Sequence, residues 1–314
     1  VIGFLLVMAI IFLAAGQFQA NVVPVQEQQE EANHFNNVAG DLSSLRTDII
    51  KASSNGQLQT QRVRLGMTYD TLGVTQRPVA GTLGLNTTER NLPKIKISNA
   101  ENNGVASNYW TGDQDREYKT GILSYKVDYS RFVRNADLFM EHGYIYRDTI
   151  KDDDTNINMI PVSEQPIINS NQITLYTVQS GTPSGPSSDG DSFRVQQIEP
   201  AVVEVNPTSA PMKTVGITNN EDSEHITIKL PTRLDQSHWN EILENQISEK
   251  TGSPPNEQCV DSNKHVKGIS NVGGENAVKI TMCKGITYNL RMSRIDLQTR
   301  SKRGLIPPTE KQYI

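Results

Sequence analysis

The chain has 314 residues, with 30 basic and 35 acidic side chains and a formal net charge of −5. This length allows one large domain or two to three smaller ones. The acidic balance excludes a basic nucleic-acid-binding protein, so no nucleic-acid partner is expected. Two cysteines exclude a disulfide-dense small scaffold and a cysteine-rich zinc fold.

The first element is an apolar helix. Val1–Ala15 is almost entirely hydrocarbon, and Glu27 is the first charged residue of the chain. A helix without a polar stripe needs lipid or protein on every side, which predicts a filament core or a membrane anchor. The residues expected to form this surface are Val1, Phe4, Leu5, Val7, Met8, Ile10, Ile11, Phe12 and Leu13.

Three interpretations of this helix stay open. A secretory signal peptide would show a basic region and an A-x-A cleavage site, and neither is visible. A simple membrane anchor needs about 20 apolar residues, whereas the run has about 15 before Gly16 and only a weak extension beyond it. A pilin-type helix would be held in the membrane before assembly and buried in a filament afterwards.

A second, amphipathic half follows and completes a two-part helix over residues 1–54. Apolar residues recur at spacings of three and four, which places them on one face that docks on another surface. Gly56 is a helix stop, and Pro24 predicts a bend or local unwinding between Gln17 and Val25. The predicted docking face consists of Phe35, Val38, Leu42, Leu45 and Ile49.

From residue 57 the apolar period changes from 3.6 to 2, which predicts short β-strands. The fold class is therefore α+β, a long N-terminal helix followed by a β-rich, sandwich-like body. We expect one β-rich region over 57–180 and a second over 192–314, separated by a polar loop at 181–191 that is a linker or a hairpin loop. The expected strands are 61–69, 94–97, 122–129, 143–150, 172–178, 193–205, 214–218, 225–230, 266–269, 277–282 and 286–297.

One interior helix is predicted over 235–248. Asp235 is a plausible N-cap because its side chain can accept from the first backbone N–H groups. The expected buried face consists of Trp239, Ile242, Leu243 and Ile247.

Several segments together resemble archaeal type IV pilin-like proteins, and most closely a haloarchaeal pilin-like surface family. These segments are the opening Val1–Val7, the run Val63–Tyr69 of the form V-x-L-G-x-x-Y, and Gly81-Thr82-Leu83. Leu230–Leu234, the Trp239 helix and Gly285–Met292 extend the resemblance to the C-terminal part, while residues 100–220 show none. Leu5 stands where bacterial type IV pilins carry Glu, so the resemblance is to archaeal members.

The resemblance implies export, cleavage by a prepilin-type peptidase upstream of Val1, and a β-rich head outside the cell. Its partners would be further copies of the chain in a helical filament, the membrane before assembly, and a surface or glycan ligand. The alternative is a monomeric membrane-anchored adhesin or receptor. No nucleophile, phosphate-binding or metal motif is present, so we expect no enzyme activity and no cofactor.

Two smaller patterns concern covalent chemistry. Cys259 and Cys283 flank a strand-turn-strand pattern, and outside the cell such a pair is usually a disulfide, with free thiols or a two-ligand metal site as alternatives. Asn86 begins a sequon, which is either a glycosylation acceptor in a surface loop or a chance occurrence.

A weak calcium candidate consists of Asp152, Asp154 and Asn156, which place oxygen donors at alternate positions. The segment lacks the glycine and the final glutamate of an EF-hand loop, so a solvated turn is the alternative.

Overall fold

A computed structural model of the chain describes residues 2–69, 78–86, 94–102, 116–132, 136–149, 158–163, 167–181, 193–208, 213–219, 225–244, 247, 259 and 264–300. These residues form helices α1 (Ile2–Asn21), α2 (Val23–Asn55) and α3 (Gln236–Ile242). The strands all follow α2 in the chain. The architecture is α+β, which confirms the predicted fold class. The strands are, in chain order, β1 (Gln59–Val63), β2 (Gly81–Asn86), β3 (Lys94–Ser98), β4 (Ala100–Asn102), β5 (Arg116–Lys119), β6 (Ile122–Val127), β7 (Ala136–Glu141), β8 (Tyr144–Thr149), β9 (Asn158–Ser163), β10 (Ile168–Asn169), β11 (Gln172–Ser180), β12 (Phe193–Gln197), β13 (Ala201–Pro207), β14 (Lys213–Asn219), β15 (Thr227–Pro231), β16 (Val266–Asn271), β17 (Ala277–Met282) and β18 (Tyr288–Arg300).

The strands form three sheets. The first has the order β1-β13-β18-β11-β10, with β14 beside β18 and β4 beside β14. The second has the order β12-β2-β6-β7-β8-β9, and the third has the order β16-β17-β15-β3-β5. Every sheet combines strands from before and after residue 181. Strand pairing therefore joins the predicted regions 57–180 and 192–314 in all three sheets.

Strand β18 organises the first sheet. It pairs in parallel with β11 over nine residues, and on its other edge it pairs antiparallel first with β14 and then with β13. Strand β18 can pair with two neighbours on the same edge because β14 pairs with the N-terminal half of β18 and β13 pairs with the C-terminal half of β18.

Two hydrophobic cores lie on opposite faces of the second sheet. Along β7, Leu138 and Met140 pack into a core shared with α2, which we call the helix core, whereas Phe139 packs into the other core. Successive side chains of a strand point to opposite faces, so a strand between two cores is apolar on both. This placement explains why β7 lacks the alternation on which strand prediction depends, and why no strand was expected there.

Two predicted strands are shorter or divided in the structure. The expected strand 61–69 ends at Val63, and beyond it Met67 forms an isolated bridge with Val79 as the chain crosses toward the second sheet. The expected strand 193–205 is two strands in different sheets, β12 and β13. The chain leaves the second sheet at Ile198, whose carbonyl oxygen accepts from the Gly66 N–H group at 3.1 Å, and Pro200 stands just before β13.

The interior helix is shorter than the predicted 235–248, because α3 ends at Ile242. Asp235 is its N-cap, and its carboxylate accepts from the His238 N–H group at 3.1 Å. Trp239 and Leu243 are buried, while Ile242 and Ile247 are half-buried. Beyond α3, Ile247 lies beside Val266 in a parallel bridge at the edge of the third sheet.

Candidate functional site at the N-terminal helix

Helix α1 is apolar and uncovered. No residue from Ile2 to Asn21 is buried, and Phe4 and Phe12 are 69% and 68% exposed. Of the predicted surface, Val1 lies outside the described residues and Met8 is half-buried; the other members are exposed. Those exposed members are Phe4, Leu5, Val7, Ile10, Ile11, Phe12 and Leu13.

The length of α1 fits a bilayer. Twenty helical residues span about 30 Å, which equals the hydrocarbon thickness of a typical membrane. The helix begun by α1 is long and apolar enough to cross a membrane, and a signal sequence passes the same test. The helix thus suggests membrane anchoring or a signal sequence.

The helix is interrupted at one residue, Val22, which lies within the predicted window from Gln17 to Val25. Its torsion angles stay in the right-handed helical region, at φ −92° and ψ −46°. The Val22 N–H group donates to the Phe18 carbonyl at 2.9 Å, and the Gln26 N–H group donates to the Val22 carbonyl at 3.1 Å. Backbone hydrogen bonds therefore continue across the interruption, and bending at this point stays a prediction.

Burial of the chain begins immediately after this point, at the start of α2. Val23 is already buried, so no free stalk separates α1 from the folded part of the chain. The predicted docking face lies in the helix core, packed against strands of the first and second sheets. Its members, all buried, are Phe35, Val38, Leu42, Leu45 and Ile49. The C-terminal end of α2 is closed by Gly56, which has a positive φ of 69° and donates its N–H group to the Ala52 carbonyl at 2.9 Å.

A buried carboxylate, Glu31, fastens α2 to the second sheet. Its Oε1 accepts from the N–H and hydroxyl groups of Ser130, at 2.9 and 2.8 Å, and from the Tyr69 hydroxyl. Its Oε2 accepts from the N–H groups of Arg131, at 2.8 Å, and of Phe132. Burial opposes ionisation, but these donors together lower the pKa of Glu31 below its usual value. The side chain is therefore an ionised anchor at neutral pH.

Glu27, one turn earlier, makes a second polar contact with the same loop. Its side chain is 3% exposed, and its Oε2 accepts from Nε of Arg131 at 3.1 Å. Both acidic side chains therefore attach the start of α2 to residues 130–132. Because this attachment begins only a few residues after the end of α1, the β body is held close to the apolar helix.

Asp41 anchors the middle of α2 to the segment 63–69, which we call the crossing segment. Its carboxylate accepts from Nε and an Nη of Arg64, at 2.9 and 2.8 Å, and from the Arg64 N–H group at 3.0 Å. A bidentate pair of this kind fixes orientation as well as distance. The crossing segment is therefore held by α2 at both ends, through Asp41 at its start and Glu31 at Tyr69.

At two positions near the crossing segment there is no room for any side chain larger than that of glycine. A Cβ on Gly81 would lie 1.8 Å from the Leu65 carbonyl oxygen, and one on Gly66 would lie 2.3 Å from that of Val79. Any side chain at these positions would push the crossing segment off the second sheet. The crossing segment thus joins α2, through Asp41 and Glu31, to the second sheet at Gly81.

The acidic anchors were missed by sequence reasoning, although a signal for them was present. Glu27 and Glu31 continue the docking face of α2 backward at spacings of four from Phe35. A charged residue on an otherwise apolar helix face is either exposed at the margin of that face or buried with hydrogen-bonding or ion-pair partners. The partners come from residues about 100 positions away, so the choice between these outcomes depends on the tertiary fold.

The remaining candidate residues are Asn86, the weak calcium candidate and the two cysteines. Asn86 is the last residue of β2, where its backbone pairs with Ile122, and the rest of its sequon lies outside the described residues. Asp152, Asp154 and Asn156 also lie outside them, as does most of the loop 181–191. Cys259 and Cys283 form a disulfide with a Cα–Cα distance of 5.6 Å.

Removal of this disulfide should lower the free energy of unfolding by about 3–4 kcal/mol, because the bridge restricts the unfolded chain. The single variant Cys259→Ser should lose as much as the double variant Cys259→Ser, Cys283→Ser, since either change opens the same loop. Denaturant unfolding of both variants measures the loss. An unchanged unfolding midpoint in the double variant would contradict the expectation.

Comparison with known protein families, with characterised proteins and with solved structures finds no significant match. The comparisons thus add no family to the argument. A functional proposal has to rest on α1, on its attachment through α2, and on the resemblance carried by the residues quoted above.

Proposed function

We propose that this chain is a structural subunit of an extracellular, type IV pilus-like filament. In this proposal α1 packs against α1 of neighbouring copies, and the β body is displayed for adhesion or surface contact. The observation that carries the proposal is a 20-residue helix with no buried residue, attached without a stalk to a folded body. The proposal assigns no catalytic role and no cofactor to the chain.

The energetic argument concerns the exposed apolar area. Apolar surface removed from water contributes about 25 cal/mol per Å², so a helix of this kind gains strongly from any apolar environment. Contacts that repeat head to tail without closing produce an open filament, whereas contacts that close produce a ring. The membrane would hold α1 before assembly, and neighbouring copies would replace the lipid afterwards.

A second candidate is a monomeric membrane-anchored surface protein, either an adhesin or a receptor. The length of α1 favours it, since about 30 Å of apolar helix is enough to span a bilayer without any partner. Both candidates place the β body outside the cell. They differ only in whether α1 ends in contact with lipid or with other copies of itself.

Electron microscopy separates the two candidates. Cells that produce the chain should carry thin, uniform fibres, and material sheared from their surface should contain this chain as the repeating subunit. The membrane-anchor alternative predicts no fibres and a detergent-soluble monomer in the membrane fraction. A monodisperse monomer, with no fibres on cells or in sheared material, would overturn the filament proposal.

A further inference from the structure

A second group of buried polar side chains lies where the second and third sheets meet. Glu141, at the end of β7, is 2% exposed and points away from the helix core. It faces residues 231–234, which connect β15 of the third sheet to α3. We call Glu141, Thr232 and Trp239 the seam.

The hydrogen bonds of Thr232 fix the direction of the seam. A hydroxyl group has one proton to donate and two acceptor positions. The Thr232 oxygen accepts from Nε1 of Trp239 at 3.2 Å and from the Leu234 N–H group at 3.0 Å. Its own proton is therefore donated to Oε1 of Glu141. The carboxyl group thus connects the second sheet to both β15 and α3 through a single hydroxyl.

Glu141 has no direct ion pair within the described residues. The Arg233 N–H group donates to its Oε2 at 3.3 Å, but the Arg233 guanidinium pairs instead with Asp148 at 2.9 Å and stacks on Phe139. Burial raises the pKa of Glu141 to about 7, against the opposing effects of Thr232 and Arg233. The Tyr146 hydroxyl, on β8, lies near the carboxyl groups of both Glu141 and Asp148.

The neighbouring His142 changes its protonation state at a lower pH than Glu141 does. His142 forms the tight turn between β7 and β8 with Gly143, and both have positive φ, of 50° and 86°. Its Nε2 lies 2.7 Å from the Pro231 carbonyl oxygen, which can only accept, so Nε2 carries a proton and donates it to this bond. Burial lowers the pKa of His142 to about 4, so it changes charge at a lower pH than Glu141. Arg46 of α2 lines the small cavity beside both residues.

We propose that Glu141 is a proton-controlled latch that couples the third sheet and α3 to the second sheet. With the carboxyl protonated, the seam carries no charge and Oε1 still accepts from Thr232. With the carboxyl ionised, a charge without a direct cationic partner is buried between the two sheets, which favours separation of residues 231–239 from β7. The proposal is independent of whether the chain forms filaments.

The sign follows from linkage. A carboxyl whose pKa is higher in the closed state than in the open state favours closure at low pH. Closure therefore weakens as the pH rises from about 4.5, the usual value, through about 7. Since one pKa unit corresponds to a tenfold change in the equilibrium, the closed state should lose at least a factor of ten between pH 5 and 8.

Hydrogen–deuterium exchange on the full chain tests the latch. In the native protein, protection of residues 234–239, corrected for the intrinsic rate of exchange, should fall at least tenfold between pH 5 and 8. The variant Glu141→Gln keeps an oxygen that accepts from Thr232, and its NH₂ group faces the Arg233 N–H group, so its overall protection is lower; because it cannot ionise, that protection should not change with pH. The matched control Glu241→Gln, on the exposed side of α3, should behave as the native protein.

Trp239 fluorescence provides a second measurement, because the indole N–H group is part of the seam. The native protein should show a transition near neutral pH that Glu141→Gln lacks. An identical pH response in the native protein and in Glu141→Gln, or no change in the native protein between pH 5 and 8, would overturn the latch. Far-ultraviolet circular dichroism verifies that the variant is folded.

Discussion

Replacement of Ile10 by aspartate should abolish stable association of the chain with membranes and its assembly into fibres. Ile10 lies in the middle of α1 and is 57% exposed, with apolar residues on both sides along the helix. An aspartate at the centre of a membrane helix costs about 2.5–3.5 kcal/mol on insertion scales. In a filament, the same unpaired charge would be buried in every subunit.

The β body should be unaffected by this change, because α1 makes no part of either core. The matched control is Asn33→Asp, which adds the same charge on the exposed side of α2, and Ile10→Val tests the position without a charge. Membrane flotation and electron microscopy measure the two outcomes, and circular dichroism measures the fold. An exported Ile10→Asp protein that still forms normal fibres would show that α1 is not a filament core.

Replacement of Glu31 by glutamine should destabilise the attachment of α2 to the sheets by on the order of 3 kcal/mol. Both carboxylate oxygens of Glu31 are contacted by hydrogen-bond donors. Ser130 and Tyr69 donate to Oε1, and the N–H groups of Arg131 and Phe132 donate to Oε2. A glutamine amide has one acceptor oxygen and one NH₂ group. In either orientation of the amide, its NH₂ group therefore faces hydrogen-bond donors inside the fold.

The pH dependence of this effect has a defined sign. The pKa of Glu31 is lowered in the folded state, so its stabilising contribution is present above the usual value of about 4.5. It is lost as the pH falls through the lower, folded value. The stability difference between the native protein and Glu31→Gln should therefore be largest at pH 7 and should shrink in acid.

Urea unfolding in detergent micelles at pH 7 and pH 3 measures this difference. Glu30→Gln is the matched control, since Glu30 is adjacent on the helix but only half-buried. A Glu31→Gln protein that unfolds at the native urea concentration would show that the anchor contributes nothing. A difference that does not change between the two pH values would show that its ionised form is not responsible.

Several features of this protein follow from the sequence alone because they depend on neighbours along the chain. The uncharged run before Glu27 requires an apolar environment whatever the fold of the rest. The stripe from Phe35 to Ile49 and the stop at Gly56 follow from helical spacing and from the backbone freedom of glycine. Asp235 as an N-cap is likewise a local effect, since its partner is three residues away.

The organisation of the β body depends on the tertiary structure. Strands such as β7 carry no alternation because they are buried on both faces, and β12 and β13 separate because their partners lie in different sheets. Pairing between distant strands is decided by which apolar faces can be buried together. Strands of the expected regions 57–180 and 192–314 pair with one another in all three sheets for this reason, since a polar loop in the sequence need not be a boundary in space.

The anchors show the same limit at single residues. Glu31 and Glu141 are ordinary acidic residues in the sequence, yet the fold surrounds one with donors and buries the other with no direct ion pair among the described residues. Their pKa values consequently move in opposite directions. The sequence determined that α1 needs a partner and that α2 has a face to dock. Only the tertiary structure decided which carboxylates hold that face, because their donors are brought from distant parts of the chain.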